Sequence, residues 1–156
     1  MAERWAAPFS TYRTRVPEEW VDYNGHMHDA SYLVALSEAN EALFDALDLG
    51  AGYYRAAGAS YFTVEYHIKY VAECAAGDVL TAETLLVAAD PKRIRLYTEL
   101  KHDDGRLAAS GESLYLHVDR TTGRVADVAP DRYRPVQEVL AAHAGMRRSR
   151  MVPEGA

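Results

Sequence analysis

Between Ala30 and Tyr61 the spacing of apolar residues changes from helical to alternating, and the alternation then persists as far as Val118. Over Ala30 to Leu49, Tyr32, Leu36, Ala39, Leu43 and Ala46 share one face, while Ser37, Glu38, Glu41, Asp45 and Asp48 lie largely elsewhere. This spacing predicts one long helix, with Asp29 as its N-cap and Gly50 ending it in the left-handed conformation. After it, Phe62, Val64, Tyr66, Ile68 and Tyr70 alternate with Tyr61, Thr63, Glu65, His67 and Lys69. Further strands are expected over Val79 to Ala88, Arg93 to Lys101 and Leu107 to Val118. In the middle one, Ile94, Leu96, Thr98 and Leu100 face inward. The connections AECAAGD, ADPK and HDDG read as short turns, so the four strands are expected to form an antiparallel meander. A weak strand over Tyr12 to Val16 precedes the helix, and a helix over Asp131 to Ala144 follows the strands, with a frayed tail. One striped helix and one sheet can bury each other's apolar faces only if the sheet wraps the helix. The expected class is therefore α+β: a hotdog fold, an antiparallel sheet around one long central helix. Its exposed sheet edges favour self-association, as a homodimer or homotetramer.

The 156 residues suffice for one domain, expected over residues 1–156 with the core at about 10–130. No repeat or linker divides them. A net charge of -6 argues against nucleic acid as a partner. The opening MAERWAAPFS has no apolar run, so neither a signal peptide nor a membrane span is expected there. The single cysteine, Cys74, suits a reducing compartment, and the cytoplasm is the simplest expectation.

Chemistry concentrates in the loop before the helix, Asp22-Tyr23-Asn24-Gly25-His26-Met27-His28-Asp29. Asp22 is a carboxylate just ahead of a turn. Gly25 lets the backbone bend and approach a ligand. The helix start directs unpaired N–H groups and its positive dipole end into the same space. A thioester carbonyl docked there would be polarised, and Asp22 could attack it or activate a water. No cofactor is needed for such a site.

The residues VDYNGHM, then ASYFTVEYHIKY, then LYTEL and LYLHVD span about Val16 to Asp119. On these the chain resembles the 4-hydroxybenzoyl-CoA thioesterase-type hotdog family, and within it the betainyl-CoA thioesterases of carnitine catabolism. The resemblance implies hydrolysis of a small acyl-CoA without metal, at a site shared between subunits. It makes Asp22 the catalytic aspartate, with Gly25, His26 and Asp29 in the catalytic loop. Asn24, Met27, His28 and Tyr32 become candidate substrate contacts, and the N–H groups around His28 and Asp29 would polarise the carbonyl. An asparagine is expected where His28 stands, so the local hydrogen bonding departs from the family pattern.

Other residues carry weaker signals. Glu65 and His67 share a strand face that should point away from the helix, and Glu65 is a secondary substrate contact. Lys92 and Arg93, in a turn, are the best local positive pair for CoA phosphates; the basic stretch MRRSR is a weaker one. The many tyrosines permit a cage for a quaternary ammonium group. His26 and His28 lack further ligands at workable spacing, so no metal is expected, and Cys74 lacks a partner base. Two rival functions fit less well. A hotdog hydratase would want proline where Gly25 stands and its histidine one residue later. A non-catalytic acyl-CoA sensor would want a DNA-binding segment, for which the charge and length leave no room.

Overall fold

The computed structural model describes residues 5–150. Strand β1 is Arg13–Arg15, and a single 3-10 turn follows at Glu18–Trp20. Helix α1 is Asp29–Ala46 and α2 is Ala51–Ala57. Strands β2 (Ala59–Tyr70), β3 (Val79–Asp90), β4 (Arg93–His102), β5 (Leu107–Asp119) and the short β6 (Arg124–Val125) precede α3, Pro130–Arg150. The strands run in the order β1-β3-β4-β5-β2, all neighbours antiparallel, with β6 beside β5. The sheet curls around α1, giving the expected hotdog architecture.

The central part of α1 is held by its apolar stripe. Ala35, Leu36, Ala39 and Leu43 are essentially inaccessible, and they meet Leu80, Leu86, Ile94, Leu96 and Leu100 from β3 and β4. Burial of each leucine contributes about 2 kcal/mol. A polar knot sits inside this apolar contact. The Asn40 amide donates toward Tyr66 Oη (3.1 Å), Ser113 Oγ (3.2 Å) and Tyr115 Oη (2.9 Å). Its Oδ1 accepts from the Thr98 hydroxyl at 2.6 Å. One helix residue is thereby tied to β2, β4 and β5.

Several details depart from the sequence reading. The N-cap is His28, not Asp29: the His28 imidazole accepts the Ala30 N–H. Helix α1 ends at Ala46, and Asp48, not Gly50, takes the left-handed conformation (φ 56°). Gly50 instead opens α2, a helix too short and too poorly capped to show in the pattern. Strand β2 pairs with β5 rather than β3, so only β3, β4 and β5 form a meander. A bulge at Val64 also splits the apolar face of β2. Ahead of it Tyr61 and Thr63 pair with His117 and Tyr115 on the helix side. Beyond it Tyr66, Ile68 and Tyr70 take the helix side, paired with Ser113, Gly111 and Ala109, while Phe62 and Val64 are 41% and 48% exposed. Helix α3 continues through the basic MRRSR stretch instead of fraying at Ala144, and residues 151–156 of the expected tail lie outside the described residues.

Helix α3 lies on β3, where a second bulge interrupts pairing between Leu86 and Ala88. The fully buried His143 reaches this bulge. Its Nδ1 accepts the Leu86 N–H at 2.9 Å, which leaves Nε2 to donate to Ala6 O at 2.8 Å. No helix among the described residues is long and apolar enough to cross a membrane.

Candidate active site

The loop ahead of α1 is closed by its own backbone. Asp22 N–H donates to His26 O and Gly25 N–H donates to Asp22 O, both at 3.0 Å, and a bridge joins Val21 to Met27. Gly25 has φ +81° with nothing within 4 Å of a notional Cβ, so conformation rather than space demands glycine. Asp22 Oδ1 accepts the Asn24 N–H at 2.8 Å, an Asx turn that fixes one carboxylate oxygen. The loop is then anchored at two points. Met27 N–H donates to Cys74 O and His28 N–H donates to Trp20 O, each at 2.7 Å.

The second wall comes from the connection between β2 and β3. Tyr32 donates its hydroxyl to Ala72 O (2.9 Å), and Tyr70 donates to Asp29 O (3.1 Å). The two rings meet edge to face with centroids 5.2 Å apart. Burial pushes the Tyr32 phenol above its ordinary range, so it remains a neutral donor. His26 Nε2 lies 3.1 Å from Glu73 Oε2. Loop and wall enclose an open cleft of about 710 Å³.

At the helix start the free donors are few. The Ala30 N–H is accepted by His28 Nδ1 (3.1 Å) and Asp29 Oδ1 (2.9 Å), and the Ser31 N–H by His28 O (2.9 Å). The Asp29 N–H has no acceptor among the described residues, and Asp29 lines the same cleft as Asp22. While His28 Nδ1 caps the helix its ring is neutral. The same nitrogen lies 3.0 Å from Asp29 Oδ1.

The structure therefore brings together Asp22, Asn24, His26, Met27, His28, Asp29 and Tyr32, with Gly25 shaping the loop. It does not bring in Glu65, whose pairing with Leu114 puts it on the outer sheet face. Nor does it bring in Lys92 and Arg93. They stand at the start of β4, and Tyr70 is level with Leu100 near its other end, roughly 23 Å along the strand at 3.3 Å per residue. Arg93 is paired with Asp90 (2.9 Å) and Lys92 faces Asp127 (4.0 Å). Tyr70 and Glu73 line the same cleft and were not among the site residues expected from the sequence. Their signal is only their position in a strand end and turn, which becomes informative once β2 is placed beside β5. Among the described residues no three or more His, Cys, Asp or Glu side chains stand together as metal ligands would.

Residues 16–142 match the thioesterase-like superfamily. An Agrobacterium fabrum protein named L-carnitine dehydrogenase/betainyl-CoA thioesterase is 41% identical over 138 residues. That match covers 88% of this chain but 28% of the relative, so the chain spans under a third of that protein. The betainyl-CoA thioesterase of Pseudomonas aeruginosa is 35% identical over 147 residues, covering 94% of this chain and 90% of the relative. Among solved structures, a Staphylococcus aureus protein in complex with CoA superposes with a TM-score of 0.82 at 25% identity, over 88% of each chain. With its sheet curled about α1 and a sequence match running through loop, helix and strands, the chain belongs to the thioesterase-like superfamily.

Proposed function

We propose that the chain hydrolyses a small acyl-CoA thioester, betainyl-CoA first among the candidates, and that Asp22 carries the reaction. The observation behind this reading is the pairing of two unsatisfied groups in one cleft. Among the described residues, Asp22 has one carboxylate oxygen fixed by Asn24 and the other unbonded, and the Asp29 amide has no acceptor. A thioester carbonyl accepting the Asp29 N–H at the positive end of α1 would be polarised as its oxygen gains charge. Asp22 then acts in one of two ways. It adds to the carbonyl carbon, expelling the CoA thiolate and leaving an acyl–aspartyl anhydride that water cleaves. Alternatively it takes a proton from water as that water adds. The names of the relatives support the acyl group.

The same reading makes the working unit a homodimer. Strand β2 is an edge strand of twelve residues, with Phe62, Val64 and Tyr70 exposed and Val71 exposed just beyond its end. An edge this long and apolar is a template for pairing unless covered, and a second β2 covers it symmetrically. The buried thiol of Cys74 and the lack of any membrane-crossing helix among the described residues fit a cytoplasmic enzyme.

The test is thiol release from betainyl-, acetyl-, 4-hydroxybenzoyl- and palmitoyl-CoA, with wild type beside Asp22→Asn. Release that depends on Asp22 and is fastest with betainyl-CoA is expected. Equal release by the variant, or none from any thioester, would overturn the proposal.

A further inference from the structure

A second hollow, of about 280 Å³, lies between α1, α2 and the opposite end of β2 from the Asp22 cleft. The Asp22 cleft takes in Tyr70, the last residue of β2, whereas the second hollow takes in Ser60, Tyr61 and Thr63 near its start. When two copies pair β2 against β2 antiparallel, the start of each strand lies beside the end of the other. The small hollow of one subunit then adjoins the Asp22 cleft of its partner.

The chemistry of that hollow is specific. Glu41 lines it and Asp45 stands one helical turn further along α1, outside its lining; neither has a cationic partner among the described residues. Burial, and then the neighbouring Asp45 charge, push the Glu41 carboxyl above its ordinary value. Gly50 makes room for the pair: any Cβ there would strike the Asp45 carboxylate and stand 3.1 Å from Glu41 Oε1. The apolar wall is a ring cluster, with Phe44 centroids 5.3 Å from Tyr61 and 4.8 Å from Tyr115. Arg120 also lines the hollow, but its guanidinium lies over the Tyr54 ring at 4.7 Å.

We propose that Glu41 is a specificity-determining residue acting in the partner's site, where with these rings it selects an acyl group bearing a quaternary ammonium. Such a group cannot donate a hydrogen bond. It is read by aromatic faces and an unpaired carboxylate instead. The volume is consistent with a short branched head and too small for a long chain, since ligand pockets begin at roughly 300 Å³. This inference rests on the thioesterase reading, which can survive without it.

The probe pair is betainyl-CoA and 3,3-dimethylbutyryl-CoA, its uncharged carbon isostere. Wild type should favour the charged thioester in kcat/KM, and Glu41→Gln should lower that preference about tenfold, equivalent to about 1.4 kcal/mol, chiefly through KM for betainyl-CoA. A preference unchanged in the variant, with both thioesters hydrolysed, overturns the inference and leaves the thioesterase. Hydrolysis of neither by wild type overturns both. Co-expressed, differently tagged Asp22→Asn and Glu41→Gln subunits decide the geometry. Their heterodimer has one site free of both substitutions only if Glu41 acts across the interface. It should then recover wild-type preference, whereas the preference of the Glu41→Gln homodimer would show that Glu41 serves its own subunit and refute the proposal.

Discussion

Helix α1 carries two polar regions built on opposite plans. At its middle, Asn40 is 1% exposed and its amide oxygen and nitrogen are matched to hydroxyls on three strands. Where it begins, the Asp29 amide, and Asp22 in the loop ahead of the helix, keep bonding capacity that no described residue takes up. Saturated polar groups fix how the helix sits, because a buried group without its partner costs the full loss of solvation. The unspent groups face an open cleft, where water or a bound reactant can take them up. On the proposed reading, stability is assigned to the middle of the helix and chemistry to its start and the loop ahead of it.

Substitutions at the two places should therefore fail in opposite ways. Asp22→Asn should lower thioester hydrolysis by at least about 10²-fold, the lower range for a positioned acid–base group, with an unchanged Tm. A fall in both would mean that Asp22 is architectural as well. Asn40→Ala should do the reverse and cost about 3 kcal/mol in denaturant unfolding, since several buried hydroxyls lose their partner. If its main effect were on kcat at full stability, the division between the regions would be wrong.

The division also explains what could be read from the residues alone. The Asp22 loop was legible because Asp, Asn, Gly and His crowd together where the helical period begins. The Asn40 knot was not, because one asparagine on an apolar face looks like noise until Thr98, Ser113, Tyr66 and Tyr115 converge on it. The bulge at Val64 was equally hidden. Alternation runs on through ASYFTVEYHIKY without a break, and only pairing with β5 shows which residues turn inward. The β2–β3 turn looks like any hairpin turn by composition, so the transfer of β2 to the far side of β5, and with it Tyr70 and Glu73, had no local sign.

Two smaller effects sharpen the contrast. Gly25→Ala should cost about 1 kcal/mol of stability through its left-handed backbone and raise KM, as measured by unfolding and steady-state kinetics side by side. A loop that tolerated alanine without either change would not be held in the φ seen here. Glu41 belongs with the unsaturated groups and should behave so without substrate. Because its carboxyl is raised in the folded state, ionisation at neutral pH works against folding, and this penalty disappears as pH falls below the ordinary carboxylate range. Glu41→Gln should accordingly melt slightly above wild type at pH 7, with the difference closing in acid. A difference that widened in acid would contradict the assignment.

The hydroxyl of Tyr70 rests on the carbonyl of Asp29. That contact joins the last residue of β2 to the first residue of α1. Whatever steadies the strand end also steadies the start of α1, so on the proposed reading catalysis and β2 pairing depend on one contact. Activity per molecule should then fall on dilution faster than unfolding could explain, and return when the protein is concentrated again.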